Sequence, residues 1–203
     1  MTINPSGRLF TQKMEQLVDY VKWKNLSVET EQKLFTYYET KYRGKFFEEE
    51  SLLSEMNESL RAEISLQNTR MLLERVPFLR RDVGDGRDEI FIGRLAMALR
   101  PQYYQGDSGH DMFFILSGKV DVFVGDRKVV SLYDGAYIGE VALITKVLRT
   151  ASVQAVAPSV LYRLTYMDFH QILDEFADMK TRIDELAKEM ENRLQVTAKD
   201  PKK

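Results

Sequence analysis

The segment 138–151, which reads IGEVALITKVLRTA, combines residue types that suit a small anionic ligand. Gly139 lets the backbone approach a ligand closely, because it has no Cβ atom. Residues 140–143 could form one helical turn whose free backbone N–H groups point outward as an anion site. Arg149 carries a fixed fork of donors that suits two phosphate oxygens, and Thr150 adds a hydroxyl beside it. We expect this segment to bind a phosphate group.

The carboxylate of Glu140 cannot itself hold a phosphate, since two anions repel each other. It can accept hydrogen bonds from sugar hydroxyls beside that phosphate, so the segment fits a ribose phosphate with one negative charge. The alternative is a strand–turn–strand with a surface salt bridge between Glu140 and Arg149. We favour the phosphate site, because the glycine, the acid, an apolar turn and Arg-Thr-Ala occur in order between two β-rich blocks.

The composition of the chain argues against several other kinds of chemistry. Its 203 residues include 29 Lys and Arg, 31 Asp and Glu, and no cysteine. Disulfides, thiolate catalysis and the common zinc fingers are therefore excluded, and the charge balance does not predict a broad basic surface for nucleic acid. His110 and His170 are too few for a histidine metal site or to suggest a Ser-His-Asp triad. We expect a protein that is not an enzyme, with no metal, no cofactor and no nucleic-acid partner.

No apolar run approaches the roughly 20 residues that cross a membrane, and no signal peptide opens the chain. Apolar residues make up 44% of the chain and charged residues 30%, which is typical of an ordinary folded domain. We therefore expect a soluble protein of the cytosol.

The first half of the chain has a helical period. Up to about Met97, apolar residues recur at spacings of three and four, and Ser27 and Asn57 have the side chains of N-caps. A loop rich in Asp and Gly follows at 82–88. The helical stretches that we predict are one beginning near Arg8, then 28–44, 48–55, 57–66 and 67–76, the last ending at Pro77.

The second half changes to short β-rich runs separated by turn residues, which predicts a small antiparallel barrel or jelly roll. Helical spacing returns after Tyr166 in two apolar stripes, 169–176 and 183–194. We expect a helical unit at 7–82, a β-roll unit with flanking helices at 83–196, and a disordered tail at 197–203. The predicted strands are 112–116, 120–124, 129–132, 151–156 and 160–164.

At this point the sequence resembles a known family. GEVALI at 139–144 and RTASV at 149–153 resemble the phosphate-binding cassette of cyclic-nucleotide-binding domains. YYE at 37–39 and LRAEI at 60–64 are similar to the C-linker of hyperpolarization-activated cyclic-nucleotide-gated (HCN) channels. The resemblance covers about 6–194. It implies an α+β fold, in which a helical C-linker is followed by a jelly-roll-like antiparallel β-roll flanked by helices.

The resemblance also implies which residues bind a cyclic nucleotide, cAMP or cGMP. The cyclic phosphate would be held by Gly139, Val141, Ala142, Arg149 and Thr150, with Glu140 on the ribose 2′-hydroxyl. The purine would pack on Val122, Val130 and Leu132 under a lid helix from which Met190 and Leu194 face the base. Ordinary core packing is an alternative for these five apolar residues, and for the first three it can hold alongside ligand contact.

The chain departs from the family pattern in three places. Many HCN-type domains place an arginine of the lid helix over the purine, where this chain has Met190 with Arg193 nearby. Cyclic-GMP-selective channels place an acid near the end of that helix, where this chain has Leu194. The stretch 100–111, RPQYYQGDSGHD, is shorter than the hairpin that supports the roll beneath the ligand. A second interpretation is therefore a module of the same fold that no longer responds to nucleotide.

The resemblance implies a homotetramer on the cytoplasmic side of a membrane, attached to a cation pore that lies outside this chain. Closure of the lid helix would pass through 80–88 to the helical half. There, the first two helices of one subunit would rest on the helices at 48–66 of its neighbour, in a closed heterologous interface. The candidates for that contact, which could also pack within one subunit, are Tyr37, Tyr38, Tyr42, Phe46 and Phe47.

Overall fold

The computed structural model describes residues 5–43, 47, 49–104, 111–145 and 151–199. Within these ranges the chain is helical up to Ala98, continues as a two-sheet β-roll, and ends in two further helices. The predicted fold class, helices followed by an antiparallel β-roll flanked by helices, is confirmed.

The first two helices, α1 (Pro5–Lys24) and α2 (Val28–Tyr42), contact each other across a short turn. The hydroxyl of Ser27 accepts a hydrogen bond from the N–H of Thr30 at 3.3 Å, so the predicted N-cap is present. α1 buries Leu17 and Val21, and among the described side chains of α2 none is buried. This pair of helices therefore has little core of its own.

The next helices are α3 (Glu49–Ser54) and α4 (Glu58–Leu73). Asn57 caps α4 by accepting from the N–H of Leu60 at 2.9 Å, as predicted. The prediction of a break between 66 and 67 is wrong, because α4 is continuous there: the sequence has no Gly or Pro at this point to interrupt the backbone hydrogen bonds. A 3₁₀ turn at Pro77–Leu79 follows, and then α5 (Asp88–Ala98).

In the part of the chain that the structure describes, seven strands form two antiparallel sheets, with the orders β1-β7-β2-β5 and β4-β3-β6. The sequence did not predict β1, which contains Pro101, or the two-residue β5. β1 lies at a sheet edge, where a proline is tolerated because one side of the strand needs no donors. The strands are β1 (Arg100–Tyr104), β2 (Met112–Ser117), β3 (Lys119–Val124), β4 (Arg127–Tyr133), β5 (Tyr137–Ile138), β6 (Ser152–Ala155) and β7 (Ser159–Leu164).

Alternate residues of β2 face two different apolar clusters. Met112 and Phe114 point to a large cluster that we call the helix-side core. Phe113 and Ile115 point to a smaller one, which we call the roll interior and which includes buried Val120 and Leu161 and partly buried Phe113, Leu132, Ala136, Val153 and Ala155. The helix-side core draws its buried residues from α4, the 3₁₀ turn, α5, β2, β7 and the later helices; they include Leu73, Leu79, Leu95, Phe114, Leu164, Phe169 and Ile183.

The last two helices are α7 (Tyr166–Glu175) and α8 (Ala177–Lys199). The predicted stripe of α7 is buried, with Phe169, Ile172 and Leu173 all in the helix-side core. α8 continues to Lys199, past the point at which the sequence predicted a disordered tail, because 196–199 contains no Gly or Pro. The helix-side core also contains residues from both sides of the expected boundary at 82/83, Leu79 and Leu95 among them.

Candidate ligand site

The predicted helical turn is present as α6 (Glu140–Ile144). Gly139 precedes it in the left-handed conformation, with φ 87° and ψ 15°, which a residue with a side chain adopts only at a cost. Inside the helix, the N–H of Leu143 bonds to the carbonyl of Gly139 at 3.1 Å. The N–H groups before Leu143 stand at the helix N-terminus, where no preceding turn supplies carbonyls for them. An N-terminus of this kind is where the sequence predicts the phosphate, and phosphate binding there stays a prediction.

The opposite side of α6 is packed into the protein. Ala142, Leu143 and Ile144 are buried, and the helix contacts α7, α8 and β2. Thr145 reinforces its end, since the hydroxyl and the backbone N–H of this residue both donate to the carbonyl of Val141 at 2.7 Å. Glu140 and Val141 are half-buried. Support for α6 therefore comes from one side, and its first residues remain accessible.

Arg149 and Thr150 lie outside the residues that the structure describes, so their place beside α6 stays a prediction. Half of the shortened stretch at 100–111, namely 105–110, also lies outside the described residues.

The three residues predicted to contact the base share one face of the three-stranded sheet. Val122 of β3 lies directly opposite Val130 of β4, and Leu132 lies opposite Val120. Directly opposed residues of an antiparallel pair point to the same side, and so do residues two apart in one strand. Since Val120 and Leu132 pack in the roll interior, Val122 and Val130 face that side as well. Val130 is nonetheless 43% exposed.

Met190 of α8 is half-buried and packs against the helix-side core. That environment is what the core-packing alternative predicted for this residue. α8 carries Leu194 as well, but its side chain is not among those described.

The sequence did not predict how α6 is tied to α7. His170 of α7 bonds through Nε2 to the carbonyl of Leu143 at 3.2 Å. One signal was available: His170 directly follows Phe169 and lies four residues after Tyr166, so it stands next to the apolar stripe of α7.

A second unpredicted feature is a buried arginine where the 3₁₀ turn meets α5 and α8. The side chain of Arg81 is 2% exposed and bonds to three carboxylates. Its Nε donates to Asp178, in the first turn of α8, at 2.9 Å, and Nη1 donates to Asp85 at 2.6 Å and to Asp88 at 2.5 Å. Hydrogen bonds from Arg81 and then from the N–H of Arg87 hold the pKa of Asp85 well below its ordinary value.

Arg182, one turn further along α8, donates to the carbonyls of Arg80 at 2.7 Å and Pro77 at 3.2 Å. Arg81 and Arg182 thus join the start of α8 to the segment 77–81, which follows α4. We call this set of contacts the arginine junction.

Comparison with known proteins assigns the class. Residues 102–176 match the family described as the cyclic nucleotide-binding domain. The match begins in β1, ends just after α7 and contains α6 together with the remaining strands. This part of the chain is a cyclic nucleotide-binding domain.

The relatives extend the match to the preceding helices. The chain is 33% identical over 201 residues to potassium/sodium hyperpolarization-activated cyclic nucleotide-gated channel 4 of Oryctolagus cuniculus, covering 95% of this chain and 17% of that protein. It is also 34% identical over 194 residues to potassium/sodium hyperpolarization-activated cyclic nucleotide-gated channel 1 of Rattus norvegicus. This match covers 92% of this chain and 21% of that protein. The chain belongs to the HCN-type family, and it corresponds to the C-linker and the cyclic nucleotide-binding domain of these channels. It spans about a fifth of the length of the curated relatives it matches. Among the described residues, no helix is long and apolar enough to cross a membrane.

Proposed function

We propose that this chain is the cytoplasmic regulatory module of a tetrameric cation channel, that it binds cAMP or cGMP, and that it passes the closure of α8 to the pore through its first helices. It is a binding module and not an enzyme. The observation that carries the proposal is α6: a single helical turn, begun by a left-handed glycine and buried on one side, inside a cyclic nucleotide-binding domain.

The phosphate is bound at the start of α6. The backbone N–H groups there and the partial positive charge of a helix N-terminus favour a monoanionic cyclic phosphate. Arg149 adds a paired donor and Thr150 a hydroxyl, while Glu140 accepts from the ribose 2′-hydroxyl. These roles explain why a carboxylate stands within an anion site: it binds the sugar, not the phosphate.

The base lies in the roll interior, on the face that carries Val122, Val130 and Leu132. Val120 and Leu132 on this face are packed, whereas Val130 beside them is part-exposed. The face can therefore take a flat apolar ligand against Val130. Leu194 of α8 contributes from the lid side, and Met190 contributes as α8 closes.

Closure is transmitted through contacts that the described residues already make. Leu143 and Ile144 of α6 belong to the helix-side core, as do Met179 and Ile183 of α8. Because α6 and α8 are in contact, a shift of α6 also displaces α8. The arginine junction holds the start of α8 against 77–81, which leads back to α4. A ligand acts on this route only to the extent that it binds the closed state better than the open state.

Assembly occurs through the helices that precede the roll. α1 and α2 bury little within one chain, and Trp23, near the end of α1, is 75% exposed.

Between α4 and α5 lies an open groove of about 960 Å³, lined by Ala62, Leu66 and Ile90 and flanked by the Glu58–Arg94 ion pair. We place α1 and α2 of a neighbour on α3, α4 and this groove. Tyr37 and Phe47 are exposed and suit the contact, Tyr38 and Tyr42 stack on each other within α2, and Phe46 lies outside the described residues.

A second candidate function is a module of the same fold that has lost its response to nucleotide and biases the pore by fixed contacts. The packing of half-buried Met190 against the helix-side core favours it, because a side chain held by that packing is less free to cover a base. The two candidates differ in one measurable property, which is binding.

The test is isothermal titration calorimetry of the wild-type chain and of Arg149→Glu with cAMP and with cGMP. We expect wild type to bind, and Arg149→Glu to lose at least about 100-fold in affinity, because attraction at the phosphate becomes repulsion. Arg127→Glu, at an exposed position of β4, is the matched control and should bind like wild type. Undiminished affinity in Arg149→Glu would refute the site. An inert wild type at millimolar nucleotide would select the second candidate.

A further inference from the structure

α6 is too short to hold its own position. A helix of one turn gains almost nothing from cooperative hydrogen bonding, and its last carbonyls have no partners within the helix. Among the described residues, two side chains bond to those carbonyls: Thr145 to that of Val141 at 2.7 Å, and His170 to that of Leu143 at 3.2 Å. Thr145 belongs to the same turn. His170 lies 27 residues further along, so it alone of the two ties α6 to another element.

The ring of His170 is itself fixed from two sides. It lies against the ring of Tyr166, with centroids 3.9 Å apart and planes inclined by 31°. It also meets the ring of fully buried Phe169 edge-on, at 5.6 Å and 78°. A carbonyl oxygen only accepts, so the proton of this bond is on Nε2 of His170. The imidazole is therefore held in one orientation, with its Nε2–H directed at the carbonyl of Leu143.

The helix that carries His170 is anchored to the sheet at its first residue. The backbone N–H of Tyr166 donates to Asp111 at 3.2 Å, and the same carboxylate accepts from Arg163 of β7 at 2.6 Å. At its other end, α7 leads through buried Phe176 directly into α8. A bond from α7 to α6 therefore relates the position of α6 both to the sheet and to the helix proposed to close over the ligand.

We propose that His170 is a positioning residue of the nucleotide site: its Nε2–H orients α6, and so the N–H groups that receive the phosphate, and it couples the movement of α6 to α7 and α8. It does not touch the ligand. The effect on nucleotide affinity rests on the proposed function, whereas the effect on the order of α6 does not.

The variants separate the hydrogen bond from the bulk of the ring. His170→Phe keeps a ring against Tyr166 but has no donor. His170→Gln has no ring, but its side-chain amide can reach the carbonyl of Leu143. His170→Leu replaces the phenylalanine variant if that one does not fold. Gln171→Leu, at the exposed neighbouring position of α7, is the matched control for adding an apolar side chain to this helix.

Two readouts are measured on each variant: calorimetric affinity for cAMP and cGMP, and backbone hydrogen exchange of a peptide covering 139–145. In His170→Phe we expect the affinity for nucleotide to be about fivefold to tenfold weaker, which is the effect of losing one hydrogen bond. Backbone hydrogen exchange of 139–145 should be faster by about the same factor. His170→Gln should recover both to within about twofold, and Gln171→Leu should change neither.

Wild-type affinity and exchange in His170→Phe would overturn the inference. Equal losses in His170→Phe and His170→Gln would also overturn it, because a side-chain donor at position 170 would then restore neither affinity nor exchange. If wild type binds neither nucleotide, the proposed function fails instead, and the exchange of 139–145 alone decides whether His170 orients α6.

Discussion

The two faces of the four-stranded sheet are packed very differently. On one face, Met112 and Phe114 of β2 join a helix-side core that draws fully buried side chains from five helices. On the other face, Phe113 and Ile115 look into a roll interior in which, among the described residues, Ile115, Val120 and Leu161 are buried and the rest are partly open. The same strand thus borders a dense scaffold and a space that is only partly filled.

This difference in packing suits the two faces of the sheet to different roles. A close-packed cluster keeps its shape and passes a displacement on, because its side chains have little room to relax. A partly filled interior can accept a flat apolar ligand. α6 stands where the two meet, since Leu143 and Ile144 belong to the helix-side core and Gly139 follows β5 of the shared sheet.

The largest effect we predict is from cavity formation in the helix-side core. Leu95→Ala removes a fully buried side chain of α5 and should lower the free energy of unfolding by about 3–5 kcal/mol, measured by urea denaturation. The control is Ile90→Ala on the same helix, where the side chain is 54% exposed and the loss should stay near or below about 1 kcal/mol. Similar losses in both would mean that this cluster is not a dense scaffold.

The next effect tests how closely the bend that follows β2 approaches β7. Gly118 has φ 115°, and an added Cβ would lie 2.7 Å from the backbone Cα of Ser159. Gly118→Ala should therefore cost about 2–4 kcal/mol in the free energy of unfolding, from strain and from displaced backbone. Gly125→Ala shares the left-handed backbone, with φ 59°, but meets nothing within 4 Å. It should cost only about 1 kcal/mol, and equal costs would show that contact with β7 contributes nothing.

A smaller effect should come from the roll interior. Leu132→Ala removes the same atoms as Leu95→Ala but from a partly open site, so we expect a loss of about 1–2 kcal/mol without ligand. Nucleotide affinity should fall as well, since this side chain faces the proposed base site. A loss as large as that of Leu95→Ala would show that the two clusters are packed alike.

Much of this architecture follows from local sequence. The N-caps at Ser27 and Asn57, the buried stripe of α7 and the single turn after Gly139 each depend on residues within about one helical turn, and all were predictable. β5 was not, because two residues carry no periodicity. β1 was not, because Pro101 argues against a strand unless the strand is known to lie at an edge.

The unpredicted contacts that join separate elements depend on distant residues. Arg81 and Asp178 are 97 positions apart, and nothing in either neighbourhood indicates the other. His170 and Leu143 meet because α7 folds back on α6. By contrast, the inward direction of Val122 and Leu132 follows from strand alternation, once their strands are identified.

The smallest effect concerns acid stability at the arginine junction. The pKa of Asp85 is lowered by Arg81 and by the N–H of Arg87, and that of Asp88 by the N–H groups of Gly84 and Val83 and by Arg81. Because the folded pKa lies below the unfolded one, these carboxylates stabilise the fold above about pH 4, and this contribution is lost as the pH falls below that value. Arg81→Met should weaken this dependence. Urea denaturation at pH 6 and pH 3 would show it as a smaller difference than in wild type, and an unchanged difference would contradict the role of the junction.

The most direct test of the central claim is thermal melting of the wild-type chain and of Arg149→Glu, each with and without millimolar cAMP and cGMP. A ligand that binds only the folded state raises the melting temperature, and at a concentration of 100 times Kd it adds about 2.7 kcal/mol of stability. We predict that at least one nucleotide raises the melting temperature of wild type by several degrees and leaves that of Arg149→Glu unchanged. Equal rises in both proteins would contradict the site built around α6, and no rise in either would contradict nucleotide binding.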